Sequence, residues 1–219
     1  MSERLVHRRS KGPASTPAQR LVELQQELFR AGQKLGDAET RIAELQNQLS
    51  RYQSLGGVSF GGIPIAQSWS ELVLWESLLN DRRFKAVFEL GSWRGGFSWW
   101  LWAQTKIREM VFHTFDSIEP QREMPPHCFT RMDVFAEADA LGDLFREHEP
   151  CIVFCDNGNK PRELKTFSAH LRDRWSLLVV HDWGTEIQPE DVPDNVEMMY
   201  EDFCKELGSI SRVFKKKET

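Results

Sequence analysis

The sequence lacks the features of membrane and secreted proteins. None of its 219 residues lies in an apolar run approaching the roughly 18 residues that a membrane-spanning helix needs. The N-terminal stretch MSERLVHRRSKG is polar and has no apolar segment of the kind that a secretory signal contains. We therefore expect a soluble, cytoplasmic protein with no membrane span.

Cysteine is scarce, and its spacing does not suggest a metal site. The four cysteines form no C-x-x-C pair. Cys151 and Cys155 fall inside an apolar run, where thiols usually act as small hydrophobic side chains. We expect buried free thiols at Cys128, Cys151, Cys155 and Cys204.

The sequence also lacks an overall excess of basic residues. The net charge is −5, and residues 1–20 carry five Lys or Arg against one Glu, so the remainder is more acidic still. An acidic body argues against a nucleic-acid-binding face. Residues 1–20 are also rich in Ser and Pro and have little to bury, so we expect a disordered basic tail.

A heptad pattern follows this tail. Apolar residues recur at alternating steps of three and four between residues 21 and 52, a spacing typical of helices that pair with other helices. We predict a coiled-coil helix over 21–53 that makes the protein a homo-oligomer. An amphipathic helix folded onto its own domain is the alternative. The seam residues are Leu21, Leu24, Leu28, Ala31, Leu35, Ala38, Ile42, Leu45, Leu49 and Tyr52.

The glycine-rich stretch SLGGVSFGGIPI, residues 54–65, separates this helix from an α/β domain that we place at 56–219. Short apolar runs alternate there with helical patterns near 98–108, 135–147 and 161–173. This alternation predicts a doubly wound, Rossmann-like, mostly parallel sheet with helices on both faces. The predicted strands span 86–90, 111–115, 129–132, 151–154 and 177–181.

A glycine turn lies at the end of the first of these strands, in FELGSWRGGFSWW, residues 88–100. Ligands of open parallel sheets bind at the carboxyl ends of the strands, especially where the first strand turns into its helix. Gly91 permits a turn that a Cβ would block, and Gly95 and Gly96 allow a ligand and the following helix to approach closely. The spacing meets neither the dinucleotide fingerprint nor the phosphate loop.

Two carboxylates end the next two predicted strands. Asp116 follows Gly91 by 25 residues, where a carboxylate can accept both hydroxyls of a ribose. Asp133 ends the third strand and could accept a hydrogen bond from an adenine amino group. A single carboxylate in such a position is more often a solvated loop residue. Here the glycine turn, Asp116 and Asp133 lie at the ends of three successive predicted strands, and together they favour an adenosyl ligand. Because the turn lacks a phosphate-binding helix start, we favour S-adenosylmethionine over NAD.

These segments resemble the class I S-adenosylmethionine-dependent methyltransferases over about residues 56–185. VFELGSWRGGFSWWL is similar to their first motif, FHTFDSIEP to their acidic second motif and LLVVHDWGTEI to the end of their fifth strand. Together with the upstream FGGIPIAQSWSEL, the turn resembles the cephalosporin hydroxylase-like and rhamnosyl O-methyltransferase group. The resemblance implies that Asp116 binds the ribose and Asp133 the adenine, and we include Ser117, next to Asp116, among the cofactor-binding residues. The resemblance also implies that the methionine part contacts Glu89, Gly91, Ser92, Gly95 and Gly96.

The chain departs from this superfamily at two places. The superfamily commonly has a third glycine in the turn, where this chain has Trp93. Its members usually carry an antiparallel pair of strands after the fifth strand, whereas only 38 residues follow His181 here. We assign those residues to one helix near 195–207 and one strand near 209–215. This predicts a truncated or modified substrate side.

Polar clusters follow the fourth and fifth predicted strands, in FCDNGNKPREL and VVHDWGTE. The resemblance to metal-dependent O-methyltransferases implies that Asp156 and Asp182 hold Mg²⁺, for which oxygen ligands are suited. His181 stands where that group tends to have an acidic ligand, so it is either a third ligand or the base for an acceptor hydroxyl. Alternatively, both carboxylates cap the following segments and His181 belongs to the core. Asn157, Asn159 and Lys160 contact an acceptor or form the turn before Pro161.

We therefore predict a methyltransferase that moves a methyl group from S-adenosylmethionine to an oxygen of a small molecule or sugar, with Asp156 and His181 as the catalytic residues. A nitrogen acceptor stays open. The alternatives are a catalytically inactive cofactor-binding module assembled through the coiled coil and, less favoured, an NAD-dependent enzyme.

Overall fold

The computed structural model describes residues 17–53, 59–80, 83–120 and 124–218. The chain divides into two units, Met1–Arg51 and Tyr52–Thr219. Helix α1 spans Pro17–Gln53, so it begins inside the predicted tail, of which residues 1–16 lie outside the described residues. Among the described seam side chains, Leu28 and Leu35 are 76% and 62% exposed. Pairing of α1 with another helix stays a prediction.

The second unit alternates strands and helices as predicted. Its elements are β1 (Ser59–Phe60), β2 (Ile63–Pro64), α2 (Trp69–Leu79), β3 (Ala86–Leu90), α3 (Gly96–Ile107), β4 (Val111–Asp116), β5 (Phe129–Arg131), α4 (Ala138–Glu147), β6 (Cys151–Cys155), α5 (Lys160–His170), β7 (Leu177–Val180), β8 (Val196–Met199), α6 (Glu201–Glu206) and β9 (Arg212–Lys216). A short 3₁₀ turn, Pro189–Asp191, precedes β8. Each of the five predicted strands matches an observed one to within one residue at either end.

The central sheet has seven strands in the order β5-β4-β3-β6-β7-β9-β8. The five strands from β5 to β7 are parallel, and β9 is antiparallel to both β7 and β8. The chain order reverses beside β3, which pairs with β4 on one side and β6 on the other. This is the place where open α/β sheets bind ligands.

Both faces of the sheet are covered, which explains why the central strands read as continuous apolar runs. All residues of β3, β6 and β7 are buried. On one face Val87 and Ile152 pack with α2 and α3, and on the other Phe88 and Val153 pack with α4 and α5. The predicted helices on both faces are confirmed.

The predicted C-terminal segment was wrong in one respect. Residues 196–199 form strand β8 instead of the start of a helix, and the helix that follows is limited to α6. The antiparallel pair β8 and β9 is therefore present, and the expected truncation is not observed. Because β8 is an edge strand in which only Val196 is buried, it lacks the apolar run that identified the central strands.

The expectation for the cysteines is met. All four cysteines are free and buried. In the part of the chain that the structure describes, none of the helices combines the length and the apolar composition that a membrane span requires.

Candidate functional site

The glycine turn joins β3 to α3 and lies against the end of β6. Gly91 has a φ of +100°, and a Cβ there would stand 2.4 Å from the backbone oxygen of Asp156. The backbone fixes this approach, because the Gly91 N–H donates to the Phe115 carbonyl and the Asp156 N–H to the Leu90 carbonyl. Only glycine fits this position.

The two later glycines are constrained by the chain itself. A Cβ on Gly96 would lie 2.1 Å from the carbonyl oxygen of Pro64, which ends β2. Gly95 has a φ of +82° and caps α3 beside the Met124 thioether. The sequence predicted that these glycines make room for a ligand, whereas the space of a Gly96 side chain is filled by the β1–β2 hairpin. Ligand contact at Gly95 and Gly96 stays a prediction.

Trp93 occupies the place where the superfamily commonly has a third glycine. Its φ of +46° lies in the left-handed region, which bulky residues rarely adopt. Its side chain is 53% exposed, with the Arg94 guanidinium 4.7 Å from the ring centre. The backbone at Trp93 thus has the left-handed conformation that favours glycine, although the residue carries an indole side chain.

Asp116 holds the turn from the neighbouring strand. One carboxylate oxygen accepts the backbone N–H groups of Ser92 and Trp93 at 2.9 and 3.2 Å. The other accepts the Ile118 N–H at 3.0 Å. The residue predicted to bind a ribose therefore already orders the turn, and its ribose contact stays a prediction.

Ser117 and Asp133 lie near this region but carry local contacts. The Ser117 carbonyl accepts from the Arg131 side chain at 3.2 Å. The Asp133 carboxylate is exposed and accepts the N–H groups of Phe135 and Ala136. The roles predicted for Ser117 and Asp133 remain untested by these contacts.

Glu89 is a buried carboxylate near the carboxyl end of β3. It is 1% exposed and accepts the Ser98 hydroxyl at 2.5 Å. Burial raises its pKa from 4.5 to about 8, although hydrogen bonds from Ser98 and Thr114 oppose the rise. Thr114 also shares a 2.6 Å hydrogen bond with the Ser92 hydroxyl, which links Glu89 to the turn.

The carboxyl ends of β6 and β7 bring Asp156, His181 and Asp182 together. Their candidate ligand atoms lie within 4.8 Å of one another. His181 Nδ1 is 3.2 Å from an Asp182 oxygen and 3.5 Å from an Asp156 oxygen. The His181 Nε2 is buried without a protein hydrogen-bond partner. The predicted convergence of these three residues is observed.

Lys160 completes this cluster. Its Nζ lies 3.4 Å from Asp156, 3.0 Å from Asp182 and 3.0 Å from Glu186, and the side chain is almost fully buried. The sequence placed Lys160 near an acceptor or in a turn and did not identify it as a partner of both aspartates. Gln67 was quoted in the resembling segment without a role, yet its amide donates to Asp156 at 3.1 Å.

The charges in this cluster perturb one another's pKa values. Burial alone would lower the pKa of His181, but its hydrogen bonds to Asp156 and Asp182 raise it to about 10. The hydrogen bond from His181, aided by Lys160, holds the pKa of Asp182 below its usual range. Burial opposes the charge on Lys160, but the carboxylates around it raise its pKa above the usual value. The cluster is a set of mutually stabilised ions.

One cavity of about 520 Å³ joins the glycine turn to this cluster. Of the predicted site residues, Asp116, Ser117, Asp133, Gly95 and Gly96 are not among the described residues that line it. Its lining residues are Ala66, Gln67, Ser68, Glu89, Gly91, Ser92, Trp93, Phe97, Asp156, His181, Asp182, Gly208 and Ile210.

A buried carboxylate on α2 positions one wall of the cavity. Glu71 is fully buried and accepts hydrogen bonds from the hydroxyls of Ser209 and Ser211 and from the N–H of Ile210. Since Ile210 lines the cavity, Glu71 fixes the loop before β9 against α2. The sequence does not reveal this contact, because the two segments are far apart in the chain.

The second unit, Tyr52–Thr219, has a Rossmann-like fold. Three solved structures of CmcI share it. CmcI in its apo form and with Mg-SAM has a TM-score of 0.60 at 16% identity, covering 74% of this chain and 77% of CmcI. CmcI with SAH has a TM-score of 0.58 at 16% identity, over 74% and 83% of the two chains. No protein-family model and no curated protein matches the chain.

Proposed function

We propose that this protein is an S-adenosylmethionine-dependent methyltransferase that methylates a hydroxyl oxygen of a small molecule or sugar. The observation that carries the proposal is the cavity at the carboxyl ends of the parallel strands. It is lined on one side by the glycine turn and on the other by Asp156, His181 and Asp182. The shared fold with CmcI, which has been solved with Mg-SAM and with SAH, supports this choice of donor.

The donor side of the cavity uses the end of β3 and the turn. When bound, the donor supplies an electrophilic methyl group on a sulfonium. In the proposal, Glu89, Gly91 and Ser92 contact its methionine part together with Gly95 and Gly96, and Asp116 takes the ribose through the lone pairs that its backbone partners leave free. Ser117 and Asp133 bind the rest of the adenosine.

The acceptor side uses His181 and the carboxylates beside it. The acceptor oxygen bonds to the methyl carbon as the carbon–sulfur bond breaks, and the hydroxyl proton leaves to a base. His181 is the candidate for that base, because Asp182 faces its Nδ1 while its Nε2 has no partner in the protein. Burial opposes its charge, but Asp156 and Asp182 raise its pKa to about 10, so His181 must first lose the proton that these carboxylates favour before it can accept one from the acceptor. The products are the methylated acceptor and S-adenosylhomocysteine.

The same residues have the chemistry of a divalent cation site. Asp156 and Asp182 offer carboxylate oxygens and His181 an imidazole nitrogen, all within 4.8 Å. Three carboxylates and one ammonium meet here when Glu186 and Lys160 are included. With a neutral imidazole their net charge suits a divalent cation, so the donor set fits Mg²⁺. A bound Mg²⁺ would supply a Lewis acid for the acceptor hydroxyl.

Release of S-adenosylhomocysteine tests the activity directly. The full-length protein is incubated with S-adenosylmethionine and a panel of hydroxylated and amine acceptors, with and without Mg²⁺. Release that depends on a hydroxylated acceptor supports the proposal. Tight donor binding without release from any acceptor would favour an inactive cofactor-binding module, and tighter binding of NAD in calorimetry would favour a dehydrogenase.

Donor affinity tests the assignment of Asp116. Asp116→Ala removes charge-assisted hydrogen bonds worth roughly 1.5–3 kcal/mol each, so affinity should fall about tenfold or more. Because Asp116 also holds the turn, Asp116→Asn serves as a second variant that keeps an oxygen acceptor for the backbone. Asp139→Ala, on the surface of α4, is the matched control. Unchanged affinity in Asp116→Ala would contradict the assignment.

We further propose that α1 joins copies of this chain. The heptad spacing and the exposure of Leu24, Leu28, Leu35 and Ile42 support this, since apolar seam residues stabilise a helix by pairing. Light scattering tests it with Leu28→Glu and Leu35→Glu combined in the full chain. The double variant should lower the oligomeric state, whereas Gln26→Glu with Gln33→Glu, off the seam, should leave it unchanged. A monomeric parent protein would contradict the proposal.

A further inference from the structure

Lys160 occupies the space between the two aspartates of the proposed cation site. It is the first residue of α5, directly after the N-cap Asn159, whose side chain accepts the Arg162 N–H. The Lys160 ammonium contacts Asp156 at 3.4 Å and Asp182 at 3.0 Å. An ammonium at these distances is an ion-pair partner of both carboxylates and shares their oxygens with any cation that binds there.

The chain already supplies a donor to each oxygen of these two carboxylates. On Asp156, Oδ1 faces Lys160 and His181 while Oδ2 accepts the Gln67 amide. On Asp182, Oδ1 faces His181 and Oδ2 faces Lys160. A cation that takes oxygens from both aspartates would share those oxygens with these donors, and its charge would be repelled by the Lys160 ammonium at the same carboxylates. Lys160 is the donor whose positive charge a divalent cation would replace.

Glu186 offers Lys160 another position. Its carboxylate lies 3.0 Å from the Lys160 Nζ and its side chain is 50% exposed. Glu186 is outside the group of three residues whose ligand atoms converge. A lysine has a flexible four-carbon stem, so its ammonium can leave the aspartates while keeping this third partner.

We propose that Lys160 is a resident competitor for the divalent cation: its ammonium pairs Asp156 with Asp182 in the cation-free protein and withdraws to Glu186 when the cation binds. This proposal rests on the proposed cation site. Lys160 is accordingly a positioning residue that sets the affinity of the site. The competition weakens cation binding, and loss of the ammonium strengthens it.

Calorimetric titration of the full-length, donor-free protein with Mg²⁺ and with Mn²⁺ tests the competition. Lys160→Met should bind either cation about tenfold or more tightly than the parent protein, because one positive charge leaves the site. Lys160→Arg keeps a charge and should bind no more tightly than the parent. Lys165→Met, an exposed position on the same helix, removes an equal charge outside the cluster and should bind as the parent does.

Glu186→Gln measures the second step and also serves if Lys160→Met does not fold. It should weaken cation binding when Lys160 is present and have little effect in the Lys160→Met background. Equal weakening in both backgrounds would reject the withdrawal to Glu186. Unchanged or weaker binding in a folded Lys160→Met would reject the competition. Absence of binding in every variant would reject the cation site as well, while S-adenosylhomocysteine release separately decides whether the protein transfers methyl groups.

Discussion

The two sides of the cavity depend on different kinds of contact. The donor side depends mainly on the backbone: the chain at Asp156 leaves no room for a side chain on Gly91, and the Asp116 carboxylate holds the turn by accepting its N–H groups. The acceptor side is a set of charged side chains, among which Lys160 and His181 contact the same two aspartates. A change on the donor side should therefore affect folding and binding together, whereas one on the acceptor side should affect chemistry more than binding.

His181→Ala should have the largest effect on turnover. Loss of a general base lowers the rate by about 10²–10⁴-fold. Donor affinity should change little, because His181 belongs to the acceptor side. Steady-state kinetics and donor calorimetry together make the measurement. His127→Asn, which removes an exposed imidazole at a left-handed position that asparagine tolerates, is the control.

Cation affinity then separates the two roles of His181. If His181 is only the base, His181→Ala should leave the Mg²⁺ affinity nearly unchanged. If His181 is a ligand of the cation, His181→Ala should lower both the Mg²⁺ affinity and turnover. If donor affinity in His181→Ala falls as steeply as turnover, the donor and acceptor sides of the cavity do not act separately, and the proposed division between them is wrong.

Gly91→Ala should show how strictly the backbone fixes the donor side. A Cβ would meet the Asp156 backbone at 2.4 Å in addition to the strain of a positive φ, so we expect a loss of about 3 kcal/mol or more in the free energy of unfolding. Gly158→Ala is the matched control, because it has a φ of +90° and nothing within 4 Å of the added atom. It should lose only about 1 kcal/mol. Equal losses in urea denaturation would show that the close approach has no cost.

The sequence predicted these two sides unequally. The strands β3, β6 and β7 are runs of buried residues, so their existence and order along the chain follow from apolar periodicity. The glycine turn could also be predicted, because its glycines lie close together in the sequence at the end of a strand. Gln67 and Glu71 were missed as parts of the site, and Lys160 was missed as a partner of both aspartates. Their partners come from other elements, and only the completed sheet brings them together.

Glu89→Gln should change the pH dependence of stability. The pKa of Glu89 is raised from 4.5 to about 8 by burial, so the folded protein binds a proton more tightly than the unfolded chain. The contribution of this proton to stability is complete below about pH 4.5 and is lost as pH rises through about 8. Glutamine stays neutral, so the variant should gain stability relative to the parent as pH rises between those values.

Urea denaturation of both proteins without donor, from pH 5 to about pH 9, measures this difference and cancels the titration of groups common to both. A constant difference across that range would mean that Glu89 is ionised in the folded protein.

Trp93→Gly should have the smallest effect, because it removes a side chain from a turn that is held by backbone contacts. Glycine relieves the left-handed strain of about 1–2 kcal/mol but adds roughly 0.5–1 kcal/mol of chain entropy to the unfolded state. With the indole 53% exposed, the free energy of unfolding should stay within about 1 kcal/mol of the parent. Trp93→Ala also loses the indole but keeps a Cβ at a φ of +46°, so it should be less stable than Trp93→Gly by about 1 kcal/mol. Donor affinity should fall by no more than about threefold in either variant, since Gly91 and Asp116 remain in place. A loss of affinity of tenfold or more in both variants, with stability unchanged, would show that the indole itself forms the donor site and that the backbone description of this side is incomplete.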